Sequence, residues 1–341
     1  MAIKNFIPQL PSVEDCWRGV ILYGRNSATY KFALASSLLE LKPKAGQLVK
    51  MEEIALPFGK SISQHMKESP KQGISSNSKF LKACNEFQTT NDGKKLVDAC
   101  LSYGFQNVID AFHIVGSTPV AKKFFIDDRK SKKGLIITDE FEKMLEGYQS
   151  QNITQEVDSR WRLVESAWSL EIAVNHLIVK HDNELGEIFT FDSGKRRKSL
   201  TSTRGALNGY QKGRCFYCFS EIQISGKNND SDVDHFFPHR LKTSELHFNL
   251  DGVWNLVLSC RNCNRGHDGK FDKIPSQNLL ERLHTRNEYL INSHHPLRET
   301  LISQTGYSEE NRAKFLSDAY NKVQIHRDGW NPKETFWENQ L

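Results

Sequence analysis

The sequence lacks any apolar run approaching the roughly 18 residues that a membrane span needs. It also lacks the marks of a secretory leader. Met1 to Pro11 carries one lysine and scattered apolar residues, with no continuous apolar region and no small-residue cleavage site. A cytoplasmic protein with no membrane partner is the expectation. A strong excess of one charge is missing too. The formal net charge of +5 permits nucleic-acid binding without arguing for it, so the distribution of charge has to decide. No internal repeat is present, and no long low-complexity segment interrupts the chain.

Cysteine is scarce and odd in number. There are seven: Cys16, Cys84, Cys100, Cys215, Cys218, Cys260 and Cys263. An odd count without a leader argues against a disulfide framework. Cys16, Cys84 and Cys100 stand singly among apolar neighbours and read as buried, inert packing. The other four form two Cys-x-x-Cys pairs separated by 41 residues. Two intervening residues let both sulfurs of a pair face one tetrahedral ion from a tight turn. Two such knuckles in a cytosolic chain read as a structural zinc site, with no coordination position left open for water.

What remains is an ordinary globular composition. The chain has 341 residues, 38% hydrophobic and 26% charged, enough for one large domain or two to three ordinary ones. Helical spacing marks two helices within residues 12–42. The first is capped by Ser12 with Asp15 and carries Trp17, Val20 and Ile21. Gly24 breaks the run, and a second helix over Ser27 to Leu41 shows Tyr30, Leu34, Leu38 and Leu41 on one face. Residues 59–79, rich in Ser, Lys, Gln, Gly and Asn, read as a polar loop. Helices are expected over Lys79–Glu86, Lys94–Tyr103 and Phe105–Val115. FFIDDRKSKKGLIIT reads as a β-hairpin around a charged, Gly-ended turn. Thr138 or Asp139 caps a helix over about 140–147. The strongest N-terminal helix carries Val157, Trp161, Val164, Trp168 and Ile172, a stripe that makes its tryptophans core residues. Beyond it, Lys195 to Arg214 holds seven basic residues and no acidic one, which reads as a solvated linker or a phosphate contact.

The chemistry concentrates in GRCFYCFSEIQISGKNNDSDVDHFFPHRLKTSELHFNLDGVWNLVLSCRNCNRGHDGK. The knuckles Cys215/Cys218 and Cys260/Cys263 would close its two ends around zinc. Between them lies DVDHFFP, an acidic residue and a histidine beside apolar ones, ended by Pro238. WNLVLSC follows as a short apolar strand, and NRGHDGK opens a polar, helical piece. A second, oxygen-preferring metal would suit Asp234 with a nearby amide or histidine. Past Lys270, a helix is expected from Pro275, capped by Ser276, with Leu279, Leu283, Leu290 and Ile291 buried. Another is expected over 308–325, with Phe315, Leu316 and Tyr320 on its apolar face. His294 and His295 before a proline read as a helix end.

Over residues 204–276 this pattern resembles the HNH, or ββα-metal, endonuclease family, in its four-cysteine subclass. The matching residues are Asp234 and His235 in DVDHFFP, Asn255 in WNLVLSC, Asn264 in CRNCNRGHDGK, and the two knuckles in register. The resemblance implies that His235 is the general base for water and Asp234 a metal-ligating carboxylate. It implies that Asn255 braces the loop between the strands, and that Asn264 is a further ligand to magnesium or manganese, with His267 as its alternative. Histidine suits the base because it titrates near neutrality. Arg214, Arg240, Arg265 and Lys270 are the candidate contacts to nucleic acid. His239 reads as packing or phosphate-facing, not catalytic.

The fold expected is α+β. Residues 1–190 form a mainly helical recognition or regulatory domain with a β-hairpin. Residues 191–341 form a zinc-stapled ββα nuclease domain with packing C-terminal helices. The implied activity is metal-dependent hydrolysis of DNA, with RNA left open as a substrate, in an antiphage or restriction-type effector that takes a protein partner or activator through its N-terminal part. The alternative is a zinc-stabilised module that binds nucleic acid without cutting it.

Overall fold

The computed structural model describes residues 11–24, 27–73, 77–169, 180–182, 185, 187–191, 197–224, 229–241, 250, 252–293, 298–323 and 329–336. Contacts divide the chain into two compact units, Ile7–Glu171 and Ile172–Leu341. The sequence reading placed a domain boundary at 190; by contacts the division falls after Glu171. Among the described residues no helix is long and apolar enough to cross a membrane.

The first unit opens with α1 (Val13–Tyr23), whose capping box forms as the sequence predicts. Asp15 N donates to Ser12 Oγ at 3.0 Å and Ser12 N to Asp15 Oδ2 at 3.1 Å, satisfying two amides that the helix leaves open. Helix α2 (Tyr30–Leu41) starts three residues later than expected. Both of its sides are buried, so Leu41, expected on an apolar face, is left partly exposed at the end. After β1 (Leu48–Lys50) comes α3 (Met51–Glu68), and this overturns the expected polar loop over residues 59–79 as far as Glu68. Ile54, Phe58 and Ile62 repeat every four residues and are buried, while the polar residues between them lie on the outer face. Glu53 caps the start, accepting from Lys50 N at 2.7 Å. Gly59 is required by packing. A Cβ there would sit 2.7 Å from Leu96 Cγ and 2.9 Å from Cys100 Sγ.

Helices α4 (Lys79–Thr90) and α5 (Gly93–Ala99) follow, and a π-helical turn, Cys100–Gly104, completes the second. The helix expected over Phe105–Val115 is only α6 (Val108–Ala111). Its remainder pairs as β2 (Ile114–Val115) with β3 (Thr118–Pro119) around Gly116, whose φ of +65° glycine tolerates. The expected hairpin is β4 (Phe125–Asp128) and β5 (Gly134–Ile137), and β1 adds to β5 to make a three-stranded antiparallel sheet. Helices α7 (Asp139–Glu146) and α8 (Ser150–Ser169) close the unit. Val157, Trp161 and Val164 are buried as expected; the Trp168 side chain and Ile172 lie outside the described residues. Cys16, Cys84 and Cys100 are fully buried.

The second unit begins with an antiparallel sheet of β6 (Lys180–Asp182), β7 (Glu187–Phe191) and β8 (Arg197–Ser202), followed by α9 (Thr203–Asn208). The basic stretch Lys195 to Arg214 is therefore no linker from Arg197 on. It pairs in a sheet and turns into a buried helix. Next come β9 (Ser231–His235), β10 (Leu256–Cys260) and α10 (Arg261–Arg265). Helices α11 (Gln277–Asn292), α12 (Arg298–Thr305) and α13 (Glu309–Val323) complete it. Ser276 sits at the N-cap of α11, and Leu279, Leu283, Leu290 and Ile291 are buried as predicted. Leu316 and Tyr320 of α13 are buried too, and Phe315 meets Trp254 edge-on at 5.2 Å. His294 and His295 lie outside the described residues.

Candidate metal centre and the strand pair beside it

The cysteines of the two knuckles are far apart in sequence and close in space. Cys215 opens a tight turn in which Phe219 N donates to Cys215 O at 3.0 Å, and Phe219 takes a left-handed φ of 64°. Cys260 ends β10 and caps α10, its sulfur accepting from Cys263 N at 3.5 Å. Backbone bonds close the gap: Phe216 N donates to Leu258 O at 2.9 Å, and Cys260 N to Cys215 Sγ at 3.3 Å. The four sulfurs all lie within 4.8 Å of one another. Among the described residues this is the one group of His, Cys, Asp or Glu side chains placed to hold a metal ion. Hydrogen bonding from Cys215 and its neighbours holds Cys218 far below the ordinary thiol range and brings Cys260 to about 6. Burial pushes Cys215 up, and hydrogen bonding, chiefly with Cys215, pushes Cys263 up. Four negative sulfurs cannot share this space by themselves, whereas a dication such as zinc would balance them. Arg282 of α11 buttresses the first knuckle. It donates to Phe216 O at 2.7 Å and Tyr217 O at 2.8 Å and lies 4.2 Å from the Phe219 ring centroid.

Strands β9 and β10 pair antiparallel, with His235 opposite Leu256 and Asp234 opposite Val257. Successive side chains on a strand face opposite ways, so Asp232 and Asp234 share one face and His235 takes the other. Asp234 is almost buried. Its Oδ2 accepts from the Tyr217 hydroxyl at 2.6 Å and lies 3.1 Å from Lys270 Nζ. Burial raises the Asp234 carboxyl against the opposing pull of Lys270 and Tyr217, and burial lowers the Lys270 ammonium against that of Asp234. Lys270 is 0% exposed and also donates to His235 O at 2.8 Å and Phe271 O at 3.2 Å. It was expected to touch nucleic acid; it is instead an internal counter-ion. His235 closes the strand with 9% of its surface exposed.

Asn255 is fully buried in the turn leading into β10. Its Oδ1 accepts from Phe237 N at 2.9 Å, and its Nδ2 donates to Phe237 O at 3.0 Å and Leu250 O at 2.8 Å. Its own carbonyl accepts from Phe236 N at 2.8 Å. One carboxamide thus holds the chain immediately after His235.

Asn264, expected as a ligand to a divalent metal, lies on α10 with its amide on Asp232. Nδ2 donates to Asp232 Oδ2 at 3.1 Å, and Arg265 Nε lies 3.0 Å from the same oxygen. His267 is 97% exposed and meets Asp268 at 3.2 Å. Arg214 braces the first knuckle through Phe219 O at 3.1 Å and Glu221 at 3.3 Å. Arg240 is exposed and donates to Asp272 O at 3.0 Å. The His239 side chain lies outside the described residues. Asp234 is taken by Lys270 and Tyr217, Asn264 by Asp232, and His267 stands exposed. With Lys270 on Asp234 and Arg265 on Asp232, these side chains as arranged do not fit a divalent-ion site.

Three residues at this site escaped the sequence reading. Asp232 could have been found from its two-residue offset to Asp234. Tyr217 and Arg282 could not, because each reaches the site through tertiary packing. No family model, curated protein or solved structure matches the chain.

Proposed function

We propose that the second unit is an HNH-type endonuclease that hydrolyses DNA phosphodiester bonds, with a structural zinc on Cys215, Cys218, Cys260 and Cys263. The observation that carries this reading is the Asn255 carboxamide. It is fully buried and spent on both backbone atoms of Phe237, two residues past His235. The carboxamide satisfies buried backbone groups and at the same time fixes the chain beside His235, as a histidine that must meet a phosphate in one orientation requires. In the proposed reaction His235 takes a proton from water as the water oxygen attacks phosphorus. The bond to the leaving 3′ oxygen breaks and that oxygen takes up a proton from solvent, giving a 5′-phosphate and a 3′-hydroxyl. Exposed Arg240 and Arg265 face the substrate phosphates. An effector of restriction or antiphage type is the setting this activity suits, by analogy alone.

A specific observation favours the second reading, a zinc-stabilised binding module. Lys270 saturates Asp234, and Asn264 is spent on Asp232. Plasmid DNA incubated with the protein in magnesium, manganese or EDTA separates the two, with zinc content measured in each sample. Nicking or linearisation that disappears in His235→Ala, with DNA binding retained, is the expected result. The loss should be on the order of a hundredfold to ten-thousandfold. Retention of DNA without cutting in every arm supports the binding module. Cutting that survives EDTA with zinc still bound assigns Lys270 and Arg265 the place of the divalent ion. Cutting lost in EDTA means that the carboxylates release these cations to a metal.

A further inference from the structure

A cavity of about 1090 Å³ opens in the first unit, a region the nuclease reading does not use. Its walls include the N-terminal ends of α2 and α4, with Tyr30, Lys31, Ser78 and Lys79, and the Tyr103 ring on the π-helical turn. Lys31 is the unusual member. It is 7% exposed, and its ammonium donates to Gly24 O at 2.9 Å and Ile21 O at 3.3 Å. No carboxylate among the described residues pairs with it. Burial lowers its pKa well below the ordinary lysine range, and Arg160 adds to that. Gly24 leaves room for the amine: a Cβ there would lie 3.0 Å from Lys31 Nζ. The ammonium also lies 4.9 Å from the Phe32 ring centroid, so two carbonyls and a ring face meet it but no full negative charge does, and a buried cation without a counter-anion is costly.

The surroundings favour an anion as well. Among the described residues Asp110 is the acidic member of the cavity wall, and Arg129 already holds it at 2.6 Å. The first turn of α2 has no side-chain cap: Thr29 lacks the extended backbone of an N-cap, and its hydroxyl donates to Gln72 at 2.6 Å. Its open amides add partial positive charge at the same wall. Tyr30 and Ser78 hydroxyls meet at 3.2 Å. Tyr103 is 42% exposed, and Lys79 Nζ lies 5.4 Å from its ring centroid. The cavity is too large for an ion alone and lies just above the upper end of the usual range of small-molecule sites, about 300–1,000 Å³. We propose that it binds a small phosphorylated ligand with a planar ring, of the mononucleotide class. Lys31, Lys79 and the α2 amides hold the phosphate, and Tyr103 offers the ring a face on which to stack.

Isothermal titration of the full chain with AMP, adenosine and inorganic phosphate tests this. AMP should bind about tenfold or more tightly than adenosine, and more tightly than phosphate alone, since charge-assisted bonds and stacking both contribute. Lys31→Met and Lys79→Ala should each weaken AMP about tenfold or more, with circular dichroism unchanged. Lys79 is exposed, so its variant reports on the site even where Lys31→Met fails to fold. No binding of AMP, equal binding of AMP and adenosine, or an affinity unchanged in Lys79→Ala would each overturn the proposal.

Discussion

Lys270 has all three of its ammonium donors turned inward, onto Asp234, His235 O and Phe271 O. Lys270→Met keeps the length of the side chain and removes the charge, leaving the Asp234 carboxylate buried beside Tyr217. Breaking a buried pair by removing one partner costs about 3–5 kcal/mol, and denaturant unfolding should show a loss of that order. Adding Asp234→Asn should recover part of it; no recovery would mean that the pair contributes nothing. In the first unit, His65 provides a pH prediction. Its ring stacks on Trp161 with centroids 3.6 Å apart, Nδ1 meets Glu165 at 2.9 Å and Nε2 lies 3.5 Å from Asp158. Burial alone would lower its pKa, but the bonds to Asp158 and Glu165 prevail and raise it above 6.5. The folded state therefore holds this proton more tightly than the unfolded chain does. The resulting stabilisation is fully present below about pH 6.5, the unfolded value, and is lost as pH rises through the folded one. Thermal unfolding from pH 5.5 to 8 should show His65→Gln losing most against the parent at the acid end. An equal loss at both ends would show that the charge is irrelevant.

At the scale of elements, α3 was missed because its polar residues outnumber its apolar ones beyond Phe58. A Ser, Lys and Gln-rich outer face looks like a loop when composition is read without period. The buried positions Ile54, Phe58 and Ile62 nonetheless recur at helical spacing. The helix expected over Phe105–Val115 failed for a different reason. Gly116 at positive φ lets Ile114 and Val115 turn back and pair, and β-branched residues accept a strand readily. Gly59 makes the tertiary demand on α3 measurable. Alanine is the better helix former by about 1 kcal/mol, yet its methyl would overlap Leu96 and Cys100. Overpacking costs about 1–3 kcal/mol, so Gly59→Ala should lower the melting temperature. A rise in melting temperature would mean that α3 and α5 have slack between them.

For the whole molecule, two compact units and one four-sulfur cluster lead to an asymmetric response to metal loss. The sulfurs tie the turn before β9 to the end of β10, so chelation should open Ile172–Leu341 and leave Ile7–Glu171 protected. Hydrogen exchange read by peptide after chelation checks this, and Cys215→Ser should reproduce it without a chelator. Uniform loss of protection in both units would mean that they unfold as one. Full retention in both would mean that the cluster does not hold the second unit.

The periodic sequence determined most helices, the β4–β5 hairpin and the capping of α1 by itself, because local spacing decides which face is buried. The two Cys-x-x-Cys pairs determined the sulfur cluster, since each knuckle is a local turn and only its closure is long-range. Which atoms meet inside the site was decided by tertiary structure. Asn264 is spent on Asp232, Lys270 is drawn inward onto Asp234, Tyr217 reaches from the knuckle to Asp234, and Arg282 buttresses the knuckle. Each of these pairings joins residues 15 or more positions apart whose identities carry no periodic signal. Burial decides them, because a charge or hydroxyl removed from water must find a partner within reach, and only the folded chain sets what is within reach.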